Sequence, residues 1–190
     1  MNNTSDHPLI SPLIAIFFAI LAVSTAAIFI RFAQDDAPSL VIAAYRLGLA
    51  TLILTPFAWK YARKEIRLLT PRQLGLALIS GVFLAIHFGS WISSLRFTSV
   101  ASSLVLVSTS PLWVTLISVV FLHEKIQKTM IWGMAIALIG GVVVGVSDSC
   151  VSHSGNLICQ PLSEIFTGSA FWGDLLALIG ALAAAGYLLI

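Results

Sequence analysis

Residues 73–95 read QLGLALISGVFLAIHFGSWISSL, twenty-three positions without one Asp, Glu, Lys or Arg. As a helix rising 1.5 Å per residue, such a run is about 34 Å long, enough to cross a hydrocarbon core of about 30 Å. Comparable apolar runs recur at 12–30, 40–59, 99–122, 130–146 and 171–190. None alternates apolar with polar residues, as the strands of an outer-membrane barrel would. The spacing therefore predicts an all-α fold, a polytopic transmembrane bundle of about six helices.

Composition agrees. The chain is 58% hydrophobic and only 9% charged, against roughly 25% charged in an average soluble domain. That is too little charge to cover a water-facing surface around so much apolar sequence. A formal net charge of +2, not gathered on one basic face, speaks against nucleic acid as a partner. Cys150 and Cys159 lack the companion His or Cys of a zinc site. No Walker-type glycine loop, nucleophile–base pair or metal cluster is present, so no cofactor, metal or enzymatic activity is expected. Met1–Pro8 hold no Lys or Arg, unlike the basic start of a signal peptide. The first run is thus read as an uncleaved span, with Ser24–Ala27 a weak alternative cleavage site.

Orientation follows from Lys and Arg in the short loops. Lys60, Arg63, Lys64, Arg67 and Arg72 follow span two, and Lys125 and Lys128 follow span four. The opposite side carries Arg31 and Arg96 with acidic Asp35, Asp36, Asp148 and Glu164. The N-terminus is expected in the cytoplasm and the loop after span five outside. If that outside is a periplasm, Cys150 and Cys159 either form a disulfide or remain two loop thiols; spacing leaves both open.

Small residues at helical spacing let membrane helices approach closely. Gly133, Ala137, Gly141 and Gly145 form one such stripe, and Ala15, Ala19, Ala22 and Ala26 another. Leu13–Ser24 laid over Leu175–Gly186 matches Leu13, Ala15, Ala19 and Ala22 with Leu175, Ala177, Ala181 and Ala184. A second unit opening at span six would follow a five-span first unit. An odd number of spans per unit inverts the second one, as in many secondary transporters.

Several motifs, in their order and spacing, resemble the EamA family of the drug/metabolite transporter superfamily. Ala43-Ala44-Tyr45-Arg46 is similar to that family's arginine near the start of helix two. Ser94-Leu95-Arg96-Phe97-Thr98-Ser99-Val100-Ala101-Ser102-Ser103 resembles its small-residue opening of helix four, and Ser108-Thr109-Ser110-Pro111-Leu112 its helix-four proline. Phe121-Leu122-His123-Glu124-Lys125 resembles the acidic close of that helix. Trp132-Gly133 with Gly140-Gly141 looks like its fifth helix, and Gly173-Asp174-Leu175-Leu176-Ala177-Leu178 like the opening of the second repeat. The resemblance implies a cytoplasmic tail over 1–11, a five-helix EamA-like repeat over 12–146 and an external loop over 147–170. Residues 171–190 would be the first helix of a truncated second repeat. It also implies a bacterial inner-membrane permease or exporter of small polar, amino-acid-like metabolites working by alternating access. The family pattern has ten helices in two repeats. The expected partners are therefore the lipid bilayer, a small-molecule metabolite, and either a second copy of the chain or a C-terminal half. The alternative is a half-length membrane protein that does not transport until it assembles.

Ionisable residues inside spans are costly and mark function by default. Arg46 sits about six residues into span two. It either snorkels to the interface or places a fixed positive charge in the outward vestibule, where it attracts carboxylates. His87 shares a helical face with Ser90, Trp91 and Ser94, at offsets of three, four and seven. That face reads as a cavity wall, as polar packing between helices, or as a proton-coupling site, since imidazole titrates near neutral pH. Ser110 and Pro111 interrupt span four. Proline frees a carbonyl, which either lines a substrate path with the neighbouring hydroxyls or is satisfied by them. The expected substrate pathway is Arg46, His87, Ser90, Trp91, Ser94, Ser110 and Pro111. With Asp174 and Glu124 at span ends, no carboxylate lies mid-span, which speaks against the glutamate-dependent cation/proton exchange of the small multidrug resistance relatives.

The orientation is directly measurable. Alkaline phosphatase fused after Gly155 is expected to be active and a green fluorescent protein fused there dark; the reverse pattern would turn the whole topology over.

Overall fold

The computed structural model describes residues 11–123, 127–147, 150–153, 156–159 and 168–190. The tail over 1–10, Glu124, Lys125, Asp148, Glu164 and positions 149, 154–155, 160–163 and 165–167 of the expected external loop lie outside the described residues. Each apolar run forms a helix with ends close to those expected. In chain order these are α1 Pro12–Ala33, α2 Ser39–Tyr61, a short α3 Arg63–Arg67, α4 Pro71–Ser94, α5 Val100–Val107, α6 Ser110–Leu122, α7 Lys128–Ser147 and α8 Ser169–Leu189. Among the described residues, five spans are long and apolar enough to cross a membrane, with α5 and α6 counted as one over Val100–Phe121; α7 is apolar over Lys128–Val144. Between α7 and α8 lies a small antiparallel hairpin, β1 Cys150–His153 and β2 Asn156–Cys159. The protein is a multi-pass membrane protein.

Local chemistry sets the helix ends. Pro12 and Pro71 open α1 and α4 at positions where a missing N–H costs nothing. Thr70 and Gln73 close a capping box on α4: the Gln73 N–H donates to Thr70 Oγ1 at 3.3 Å and the Thr70 N–H to Gln73 Oε1 at 2.9 Å. Pro111 has no N–H for the carbonyl of Val107, four residues earlier. Ser110 Oγ donates to that carbonyl instead, at 2.7 Å, and Thr109 Oγ1 donates to Leu106 O at 2.6 Å. The fourth span is thus two helices joined by a break whose hydroxyls bond its own carbonyls.

Large apolar side chains point outward along the whole length. Leu13, Phe17, Phe18, Leu52, Leu78 and Leu138 are among many that are more than half exposed, as expected where acyl chains are the solvent. The buried core sits toward one end: Ala27 and Ile30 of α1, Ala43 of α2, and Trp91, Ile92 and Leu95 at the end of α4. Gln34, in the α1–α2 turn, is buried there too; its amide donates to Ser39 Oγ at 3.0 Å and to Ile92 O at 2.6 Å, pinning that turn to α4.

The tightest packing joins α4 to α8. A third of α8's apolar window is buried, against about a tenth for the spans α1 to α6. The two helices run antiparallel: Ser80 donates to Tyr187 O at 3.5 Å, Gly180 meets His87, and Gly173 meets Thr98. Three glycines of α8 make this approach possible. A Cβ on Gly186 would lie 2.6 Å from the Phe83 ring, one on Gly180 3.2 Å from Ser90 Oγ, and one on Gly173 2.7 Å from the backbone nitrogen of Thr98.

A rotating ring can give way, whereas a backbone atom cannot. Gly173→Ala is expected to lower stability in detergent by about 1–3 kcal/mol, although alanine is the better helix former. Gly140→Ala, where nothing lies within 4 Å, should leave the thermal midpoint unchanged or raised. Equal melting of the two variants would show that the α4–α8 contact is not so close.

Candidate functional site

Arg46 is the eighth residue of α2, about 10 Å along the helix from its start at 1.5 Å per residue. Its guanidinium carbon lies 5.1 Å from the ring centre of Phe88 and 5.6 Å from that of Trp91. Phe88 and Trp91 are three apart on α4, hence neighbours on one face. The arginine is half-buried. The negative ring faces offset part of the cost of placing a cation here, by about 0.5–2 kcal/mol. It stacks on these two rings, and among the described residues no carboxylate pairs with it. The aromatic pair fixes the guanidinium's place and leaves its five N–H donors uncommitted.

His87 completes the cluster. Its ring stacks on Trp91, centres 6.2 Å apart and planes 13° apart, and meets Phe88 edge-on at 4.9 Å. Nδ1 lies 2.8 Å from the carbonyl oxygen of Gly180 on α8. A carbonyl only accepts, so Nδ1 carries the hydrogen, and in the neutral ring Nε2 is the acceptor. That bond ties α4 to α8 as well as setting the tautomer. The indole N–H of Trp91 is buried with no partner among the described residues, a position that costs about 1–3 kcal/mol unless something fills it.

The structure thus brings Arg46, His87 and Trp91 together. The three serines of the expected pathway are occupied within or between helices. Ser90 Oγ donates to Ile86 O at 2.6 Å, and its side chain lines the Gly180 contact. Ser94 is fully buried; its Oγ donates to Trp91 O at 2.7 Å and lies 2.6 Å from Ser103 Oγ on α5. Ser110 bonds Val107 O, and Pro111 is exposed at the helix break. Beside that break, a groove of about 390 Å³ runs between α5 and α7, lined by Val105, Ser108, Thr109, Ala137, Gly140 and Gly141.

Two residues escaped the sequence reading. Phe88, the second half of the arginine's platform, has no signal of its own, because facing α2 is a tertiary fact. Asp174, read as lying at a span end, is the sixth residue of α8, and its Oδ1 accepts from Thr98 Oγ1 at 2.8 Å and from Ser102 Oγ at 3.0 Å. Ser102 is fully buried. These bonds span 76 and 72 positions of sequence, beyond the reach of any local pattern.

Comparison with known proteins places the chain in a family. The EamA-like transporter family matches residues 10–146. The chain is also similar to the pseudopaline exporter of two Pseudomonas aeruginosa strains, 23% identical over 141 residues, which cover 74% of this chain and 48% of each relative. It therefore spans about half the length of the curated relatives it matches. No solved structure matches it. The chain belongs to the EamA-like transporter family.

Proposed function

We propose that this chain supplies the first five-helix unit, and the opening helix of an inverted second unit, of an exporter of small polar metabolites in a bacterial inner membrane. It works by alternating access, with its N-terminus in the cytoplasm. The observation that carries this reading is the unpaired Arg46 guanidinium held over Phe88 and Trp91. A planar fork of donors within a membrane span, with no carboxylate of its own, suits a carboxylate brought by the substrate. The buried Trp91 N–H adds a further uncommitted donor within the same cluster. Such a donor-rich setting favours amino-acid-like anions over cationic drugs. The similarity to the pseudopaline exporter of Pseudomonas aeruginosa supports outward transport.

Alternating access asks that two packed bodies part and re-form. The α4–α8 contact, with its glycine approach and the His87–Gly180 bond, is where the first unit meets the helix that opens the second. Ser90 and Ser94 belong to this reading as residues that shape the α4 face, and Ser110 with Pro111 as the break that lets the fourth span bend.

The test is flux of labelled amino acids in membrane vesicles containing the protein. Arg46→Ala is expected to reduce transport of the carboxylates about 10- to 100-fold, matching the loss of a hydrogen bond to a charged group. Arg46→Lys should fall between, because lysine keeps the charge and loses the fork. The corresponding decarboxylated amines should be indifferent to either change. Carboxylate flux that survives Arg46→Ala intact would remove the residue from the pathway.

A further inference from the structure

The connection between α7 and α8 carries both cysteines of the chain, and the hairpin within it sets them opposite each other. β1 and β2 pair in the register Cys150↔Cys159, Val151↔Ile158, Ser152↔Leu157 and His153↔Asn156. Directly opposed Cα atoms of an antiparallel pair lie about 4.5 or 5.5 Å apart, and both spacings fall inside the roughly 4.4–6.8 Å that a disulfide spans. Directly opposed residues also share a face of the hairpin. Had the register slipped by one residue, the two positions would lie on opposite faces.

We propose that Cys150 and Cys159 are joined as an intramolecular disulfide that staples the open end of this hairpin on the outer side of the membrane. Two thiols become one Sγ–Sγ bond, giving up two protons and two electrons. The oxidant is the disulfide of an extracytoplasmic thiol oxidase. One cysteine thiolate attacks that disulfide to form a mixed disulfide. The second cysteine then displaces the oxidase, which leaves as its dithiol. Such chemistry persists in an oxidising compartment and not in the cytosol, so the proposal rests on the orientation read from the loop charges. Its effect on the fold is a covalent loop over residues 151–158 that shortens the connection between α7 and α8, lowering the entropy cost of docking α8 onto α4.

The experiment traps thiols in intact cells with acid, dissolves the full chain in SDS, and adds a heavy maleimide with or without prior reduction. Labelling in SDS makes the readout independent of folding. The native chain should take up no adduct before reduction and two after it, running throughout as a monomer. Cys150→Ser should take up one adduct either way. In cells lacking the thiol oxidase, the native chain should take up two adducts without reduction. Two adducts on the native chain in oxidase-containing cells, or a dimer that reductant dissolves, would overturn the intramolecular bond. Protection that persists without the oxidase would overturn the route assigned to it. The fusion after Gly155 reports orientation separately, so a cytoplasmic hairpin and an unoxidised external one give distinguishable results.

Discussion

The glycine face of α8 against α4 is the contact on which the remaining architecture turns. In a bilayer, burying one leucine against another gains little over burying it in acyl chains, so helices associate through close van der Waals contact and polar bonds instead. Gly173, Gly180 and Gly186 remove the atoms that would hold the two backbones apart. Once the helices are that close, the carbonyl of Gly180 comes within 2.8 Å of the His87 ring, and Asp174 within reach of Thr98 and Ser102. The polar bonds follow from the approach, and they require it: at the interaxial distance of leucine-lined helices none of them would form. The tautomer of His87 is consequently a property of the α4–α8 docking. It holds as long as the two helices stay together.

The second organising fact is the contrast between hydroxyls and the guanidinium. Many serines and threonines inside the spans donate to a carbonyl three or four residues earlier on their own helix, as Thr25, Thr51, Thr55, Ser90, Ser93 and Thr115 do. Such bonds satisfy the side chain at the point where it stands and ask nothing of a neighbour. A guanidinium has no such local refuge. Its long stem carries the donors away from the carbonyls of its own helix, and snorkelling from about 10 Å along α2 is only one way out. Arg46 takes another, stacking on the Phe88–Trp91 pair, which places the charge and leaves its hydrogen bonds unmade. That separation of holding from bonding is what the proposed role of Arg46 toward a carboxylate rests on.

Span positions were legible because the bilayer imposes a length and an apolar composition that can be counted along the chain, and the helix ends moved only a few residues from the expected ones. Arg46 and His87 were legible for the converse reason: an ionisable group in such a run stands out. Which groups they meet was not. The Phe88 platform, the bond from His87 across 93 positions and the hydroxyls that hold Asp174 depend on which faces of three helices turn toward one another, and a uniformly apolar helix carries almost no periodic signal for that. The break in the fourth span lay between the two cases. Pro111 announced a freed carbonyl, and the neighbouring hydroxyls offered two fates for it. In the structure Ser110 Oγ donates to the carbonyl of Val107.

The internal repeat gives the uneven burial of α1 and α8 a reason. Leu13, Ala15, Ala19 and Ala22 of α1 match Leu175, Ala177, Ala181 and Ala184 of α8, yet Ala177 and Ala181 are fully buried whereas Ala15, Ala19 and Ala22 are exposed. Under the proposed inversion, α8 is the first helix of the second unit and packs on α4, the third span of the first. A two-fold relation between units makes every such contact occur twice. Its mate sets α1 against the third span of the second unit, along the alanine stripe that stands open here. A stripe of small side chains leaves little apolar area to interest lipid and permits a close backbone approach, so on the proposed inversion its exposure on α1 and its burial on α8 would be two halves of one contact, seen once from each side.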